Sequence, residues 1–282
     1  MKRFLFTLIA GAFFLPALAS AATISVTPEN PIQGEPILIT IEGLSASTTV
    51  SGISFESKKL GVFTRAGKPS ALYGIDLNKK PADYTVTTKL SDGSSISRAV
   101  TVAARKKIEA PLGIPEKLGG NTPAAATTLV STLAQENASL LNLRTGTHAF
   151  WTKPFVYPVA NPVVTDEYGY SRQTVGRAIA HKGTDFRAPT GTKVLAMNRG
   201  VVRLVQEGRN YGKTIVVDHG LGLQTFYMHL SKIYVNEGEL VLPGQTIGLS
   251  GMTGYAESPH LHTTVRLYDV SIDPMKFMAI LK

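Results

Sequence analysis

Short runs of alternating apolar residues, cut at close intervals by Gly, Pro, Asn and Asp, recur through almost the whole chain. That pattern leaves little besides antiparallel β structure, because strand side chains alternate between faces and tight turns need residues that tolerate special backbone angles. "TISVTPENPIQGEPILITIEG" begins the series, and strand candidates follow at Val50–Phe55, Leu60–Phe63, Leu72–Ile75, Tyr84–Lys89 and Ser95–Val102. Turn signals such as "SDGSS" return about every eight to twelve residues, the spacing of a small sandwich. The fold class expected is mainly β, with a β-sandwich over residues 22–103 and a second antiparallel β domain over residues 151–282. Residues 104–150 read as a linker with one helix. "APLGIPEKLGGNTP" has linker composition, while "TPAAATTLVSTLAQENASLLNL" is helical in pattern, with Thr122 as N-cap and Pro123 in the first turn. Leu133, Leu140, Leu141 and Leu143 would form its apolar stripe.

At 282 residues the chain can bury two cores, and an apolar share of 43% against 17% charged residues excludes a disordered polymer. Lys2 and Arg3, the apolar run from Phe4 to Leu15, Pro16 and then "ALASAA" predict a signal peptide over residues 1–21. Export is therefore expected, to a periplasm or to the cell wall and medium. No other segment reaches the roughly 20 apolar residues of a membrane span, so none is expected after signal cleavage. The net charge of +9 falls to +7 once Lys2 and Arg3 are removed, which suits an anionic surface. Nucleic acid is not expected as a partner, since no basic run exceeds "RKK" at 105–107. With no cysteine, the chain has neither disulfides nor a lipid-modified cysteine. "PADYTVTTKLSDG" resembles the late hairpin of bacterial immunoglobulin-like modules, so an immunoglobulin-like sandwich is expected there. It contains no His and its acids are dispersed, which favours a spacer or binding module over a catalytic one.

Five of the six histidines lie in the second domain. In "ESPHLHTTVRL", read as a strand, His260 and His262 share a face about 6.6 Å apart along the backbone. In "AIAHKGTDFRAPTGTKV", His181 and Asp185 are four apart on what Gly183 and the following turn residues mark as a loop entering a strand. An imidazole, a carboxylate and a second imidazole make a plausible catalytic zinc set with a fourth position open. Strand alternation in "LQTFYMHLS" puts His229 with Tyr227 on a polar face and Phe226 and Met228 in the core. His219, in "VVDHGLG", is expected to serve a turn, and His148 has no obvious partner. Which histidine of the "PHLH" pair would ligate stays open on these grounds.

The domain resembles the lysostaphin-type zinc metallopeptidases, bacterial cell-wall endopeptidases, through "HKGTD", "YMHL" and "PHLH" in order and through "APTGTKVLAMNRGVV", "YGKTIVVDHG" and "VLPGQTIGLSGMTG" between them, over roughly residues 155–277. The resemblance implies an antiparallel β metallopeptidase domain with one zinc ion per chain, ligated by His181, Asp185 and His262. It also implies that His229 and His260 act on the attacking water and the transition state. The function it implies is hydrolysis of peptide cross-links, with peptidoglycan as partner. The alternative is a non-catalytic member that binds and activates another cell-wall hydrolase. Oligomeric state is not legible.

Overall fold

The computed structural model describes residues 21–282; the expected signal peptide, but for Ala21, lies outside the described residues. Residues 23–102 form two four-stranded antiparallel sheets. One contains β1 (Thr23–Thr27), β2 (Pro36–Glu42), β5 (Val62–Arg65) and β6 (Lys68–Gly74) in the order β1-β2-β6-β5. The other contains β3 (Val50–Phe55), β4 (Lys58–Leu60), β7 (Ala82–Leu90) and β8 (Ser95–Val102) in the order β4-β3-β7-β8. Their facing residues, among them Ile39, Ile53, Phe55, Val86 and Val100, make one apolar core. This is the sandwich expected.

The following segment is no free tether. β9 (Glu109–Pro111) pairs in parallel with β11 (Ser171–Thr174), which pairs in turn with β12 (Arg177–Ala180). Helix α1 (Pro123–Ser139) begins as its sequence predicts, with Thr122 Oγ1 accepting from the Ala125 N–H at 3.2 Å. Its buried face is Ala125, Ala126 and Leu129, with Leu133 beside them. The expected stripe at residues 140–143 lies past the helix end, where Leu140 still packs under the sheet against Phe226 and Met228. Two polar clamps hold α1 in place. The Glu136 carboxylate accepts the Asn210 and Tyr211 N–H groups at 2.8 and 3.0 Å, and Arg266 donates to the Leu140 carbonyl at 2.8 Å.

The second domain centres on a sheet of eight strands: β10 (Val164–Asp166), β13 (Thr184–Arg187), β15 (Gly200–Gly208), β16 (Gly212–Gly220), β17 (Leu223–Leu230), β19 (Leu240–Val241), β21 (His260–Leu267) and β22 (Val270–Ile272). The order is β10-β13-β21-β17-β16-β15-β19, with β22 on β21. β14 (Lys193–Leu195), β18 (Lys232–Ile233) and β20 (Thr246–Leu249) form a small sheet, and α2 (Pro274–Leu281) closes the chain. Among the described residues no helix is long and apolar enough to cross a membrane.

The two β units share a core. Leu38 and Leu72 of the sandwich are buried in one cluster with Leu267, Ile272 and Phe277. Fully burying such a side chain contributes about 1.5–3 kcal/mol, so this contact is more than a surface touch. Polar bonds frame it: Asp273 N–H to the Gly34 carbonyl at 2.8 Å, Gly61 N–H to the Tyr268 hydroxyl at 2.9 Å, and an Arg105–Asp273 ion pair at 2.9 Å. The one tryptophan of the sequence, Trp151, lies in the same seam between Phe63 and Phe155.

Candidate metal centre

Strand pairing assembles the centre. β13 and β21 are antiparallel neighbours in a register that sets Asp185 opposite His262, so their side chains meet on one face of the sheet. His181 reaches the same point from the end of β12 because Lys182 and Gly183 turn the chain tightly into β13. Gly183 is required there: a Cβ would collide with the His262 ring and the Thr263 carbonyl. Asp185 Oδ1 lies 2.7 Å from His262 Nδ1 and 3.2 Å from His181 Nε2, and the two ring nitrogens are 3.1 Å apart. His181 and Asp185 are buried, and the His262 side chain is 11% exposed.

The outer hydrogen bonds fix which nitrogens are bare. His181 Nδ1 faces the Glu167 carbonyl at 2.8 Å, which can only accept, so Nδ1 carries the proton and Nε2 a lone pair. Thr264 donates its hydroxyl proton to the Lys182 carbonyl at 3.1 Å and therefore accepts from His262 Nε2 at 3.0 Å. That leaves His262 Nδ1 bare as well. Two imidazole lone pairs and a carboxylate oxygen then converge with no proton among them, an arrangement that only a shared cation relieves. A proton is a poor candidate near neutral pH. Burial holds the His262 imidazole down to about 4 despite the pull of Asp185. His181, Asp185 and His262 thus could hold a metal ion, their donor atoms lying within 4.8 Å of one another, and a set of two nitrogens and one oxygen suits a borderline divalent cation.

The other two histidines follow the same rule. His229 Nδ1 donates to the Thr253 carbonyl at 2.9 Å and His260 Nδ1 to the Ser258 carbonyl at 2.8 Å, leaving both Nε2 atoms free. Their ring centroids are 4.8 Å apart, His229 lies 6.0 Å from the His262 ring, and His260 Nε2 is 3.8 Å from Asp185 Oδ1. Burial first, then His260 and His262, push the His229 imidazole down to about 3, so it is neutral at physiological pH.

His229 arrives here by breaking the alternation expected of it. Tyr227 is fully buried on the core side, its hydroxyl accepting from Met197 N–H at 2.9 Å, instead of sharing a polar face with His229. The register against β16 slips between Lys213 and Ile215, and His229 adopts φ 60°. This bulge re-aims one side chain, so that Met228 and His229 line the same cavity. His219 does not join the cluster and does more than serve a turn. It is buried, with Nδ1 donating to the Arg199 carbonyl at 2.8 Å and Nε2 at 2.9 Å from Thr225 Oγ1.

Arg172, which sequence reasoning did not single out, donates to Asp185 Oδ2 at 2.7 Å and also pairs with Asp166. Leu112, from the segment after β9, lines the cavities on both sides of the centre, as does Tyr255, whose hydroxyl donates to the Gly113 carbonyl at 2.5 Å. No local sequence signal marks these residues, because each acts through partners far away in the chain.

Residues 179–274, which hold all five of these histidines and carboxylates, match the model of Peptidase family M23. The chain carries an M23 domain. Among similar proteins, the peptidoglycan DD-endopeptidase ShyB of Vibrio cholerae is 38% identical over 124 residues, which cover 43% of this chain and 29% of that protein. The peptidoglycan DD-endopeptidase ShyA of the same organism is 42% identical over 100 residues, 36% of this chain and 23% of that protein. The match thus spans less than a third of the length of these curated relatives. A crystal structure from Pseudomonas aeruginosa, described as a candidate M23 peptidase, superposes with a TM-score of 0.58 at 25% identity, covering 89% of this chain and 96% of that one. That coverage is too great for the M23 domain alone and extends into the sandwich.

Proposed function

We propose that the protein is an exported endopeptidase that hydrolyses peptide cross-links of peptidoglycan, using one zinc ion held by His181, Asp185 and His262. The observation that carries the proposal is the convergence of three lone pairs on one point, each held by an outer hydrogen bond: His181 to the Glu167 carbonyl, His262 to Thr264, and Asp185 from Arg172. Zinc bound there would supply Lewis acidity for the scissile carbonyl and lower the pKa of water towards about 7. The chain's own residues do the rest. His229, neutral, and His260, each with Nε2 free, stand ready to accept the proton of the attacking water and to return it to the leaving amine. Once protonated, either imidazole donates a hydrogen bond to the oxyanion of the tetrahedral transition state. The Thr253 and Ser258 carbonyls keep both rings from turning their protonated nitrogens inward.

The names of the relatives support peptidoglycan as substrate and, among its cross-links, the D,D bond. They also support action outside the cytoplasmic membrane, as does the expected signal peptide. The non-catalytic alternative draws no support from a centre in which all five positions are filled. Digestion of purified peptidoglycan with and without chelator, the products identified by mass, tests the proposal. Release of uncross-linked peptides that stops with chelator and returns with zinc is expected; no release in zinc-loaded protein would overturn it.

A further inference from the structure

Two cavities flank the centre, and they carry opposite charge. One, of about 210 Å³, is lined by Asp166, Asp185 and Glu257, with Arg172 its only lysine or arginine. The other, of about 260 Å³, lies under α1 and is lined by Arg172, Lys182 and Arg266, with no aspartate or glutamate at all. They share Arg172, His229 and His262, so a peptide crossing the centre has one flank in each.

The positive charge of the second cavity is only partly neutralised within the protein. The Arg172 charge is taken up by Asp166 and Asp185. Arg266 is 5% exposed, yet its guanidinium bonds only neutral groups: the Leu140 carbonyl, Asn137 Oδ1 and Ser271 Oγ. The C-terminal end of α1 offsets about half an elementary charge, and the Asp269 carboxylate, not in contact with the guanidinium, offsets a further part. Lys182 is exposed at the cavity mouth, and among the described residues its ammonium has no acidic partner. A cleft with low-dielectric walls and unbalanced charge of one sign concentrates the field and draws in the opposite ion.

We infer that the cationic cavity is a subsite for a free carboxylate of the substrate peptide, which makes the centre selective for peptides bearing that group beside the cleaved bond. The inference rests on the peptidase function proposed above and names a feature of its substrate. It is tested with two synthetic cross-link peptides that are identical except that one bears the free carboxylate and the other its carboxamide. The quantity read is the ratio of kcat/KM for acid over amide. For the wild-type protein a ratio of about ten or more is expected, the scale of one hydrogen bond to a charged group. Lys182→Gln should lower the ratio several-fold, and Lys182→Glu should bring it to about one or below. Lys182 is exposed, so neither change threatens the fold, whereas Arg266 variants would also loosen α1. Equal cleavage of the two peptides by the wild-type protein, or a ratio that survives in Lys182→Glu, overturns the subsite and leaves the peptidase standing. Cleavage of neither peptide by zinc-loaded wild-type protein overturns the peptidase and the subsite together.

Discussion

The sandwich and the M23 domain are built from the same material, antiparallel strands and glycine turns, and they differ in what they bury. Among the described residues the sandwich encloses an almost wholly apolar interior, with only Glu35, Ser70 and Thr88 as buried polar groups. The M23 domain buries His181, Asp185, His219, His229, Thr264 and Arg266, and gives each of them hydrogen-bond partners. A buried polar group without a partner costs about 1–3 kcal/mol, so a protein that brings His181, Asp185 and His229 together in one buried place does so for chemistry. The sandwich, among the described residues, has no such collection.

The largest effect expected from this contrast is at Asp185. Asp185→Ala should reduce metal content from one per chain to near zero and peptidoglycan hydrolysis to background, while the sandwich keeps its β signature in circular dichroism. Full activity in metal-free Asp185→Ala protein would break the contrast outright. Next come His229→Ala and His260→Ala. Metal analysis should still find about one ion per chain, with the rate on one substrate lower by about 10²–10³. If His260→Ala loses the metal while His262→Ala keeps it, the roles within "PHLH" are reversed.

His219 offers a smaller effect, on stability instead of rate. Burial pushes its imidazole down to about 4, against the Arg199 carbonyl and Asp218, which pull the other way. The unfolded chain binds a proton at this residue near pH 6.5, so between those values the unfolded state holds more protons and stability falls with falling pH. The contribution is intact above about pH 6.5 and is lost progressively towards pH 4, about 3 kcal/mol in all. Denaturant titrations of wild type and His219→Gln at several pH values should show a shallower acid slope in the variant; identical slopes would exclude His219 as a source. The smallest effect is at the shared core. Ile272→Val should cost about 0.5–1.5 kcal/mol and lower a single thermal transition, seen alike by calorimetry and by Trp151 fluorescence. A separate early step in Trp151 alone would mean that the two units come apart before they melt.

Much of this was legible in the sequence, and the failures have identifiable causes. Strands at Val50–Phe55 and Ser95–Val102 follow from alternation, and the helix start at Thr122–Pro123 from capping chemistry. The convergence of His181, Asp185, His229, His260 and His262 was legible as motifs, through a family resemblance. The direction of His229 was not, because alternation holds only in an unbroken ladder and the bulge after Tyr227 inverts it. Nor were the carbonyls of Glu167, Thr253 and Ser258, since a main-chain acceptor carries no mark of residue type. The shared core of Leu38, Leu72, Leu267 and Ile272 joins residues about two hundred positions apart, where local pattern has nothing to say. For the same reason a fragment of residues 151–282, the second domain as composition bounds it, would bare Leu267 and Ile272.

The pairing of β13 with β21 has a consequence for how such a chain can change over evolutionary time. With Asp185 held opposite His262, losing a single residue from β21 would present Leu261 and Thr263 where the imidazoles now stand, since a one-residue slip turns every side chain to the other face. No partial version of that error exists. Insertions and deletions are therefore expected to accumulate in the segment between Gly251 and His260 and to stop abruptly at the strand. A lineage can reshape the rim of its cleft by small steps, while the centre itself is inherited whole or lost.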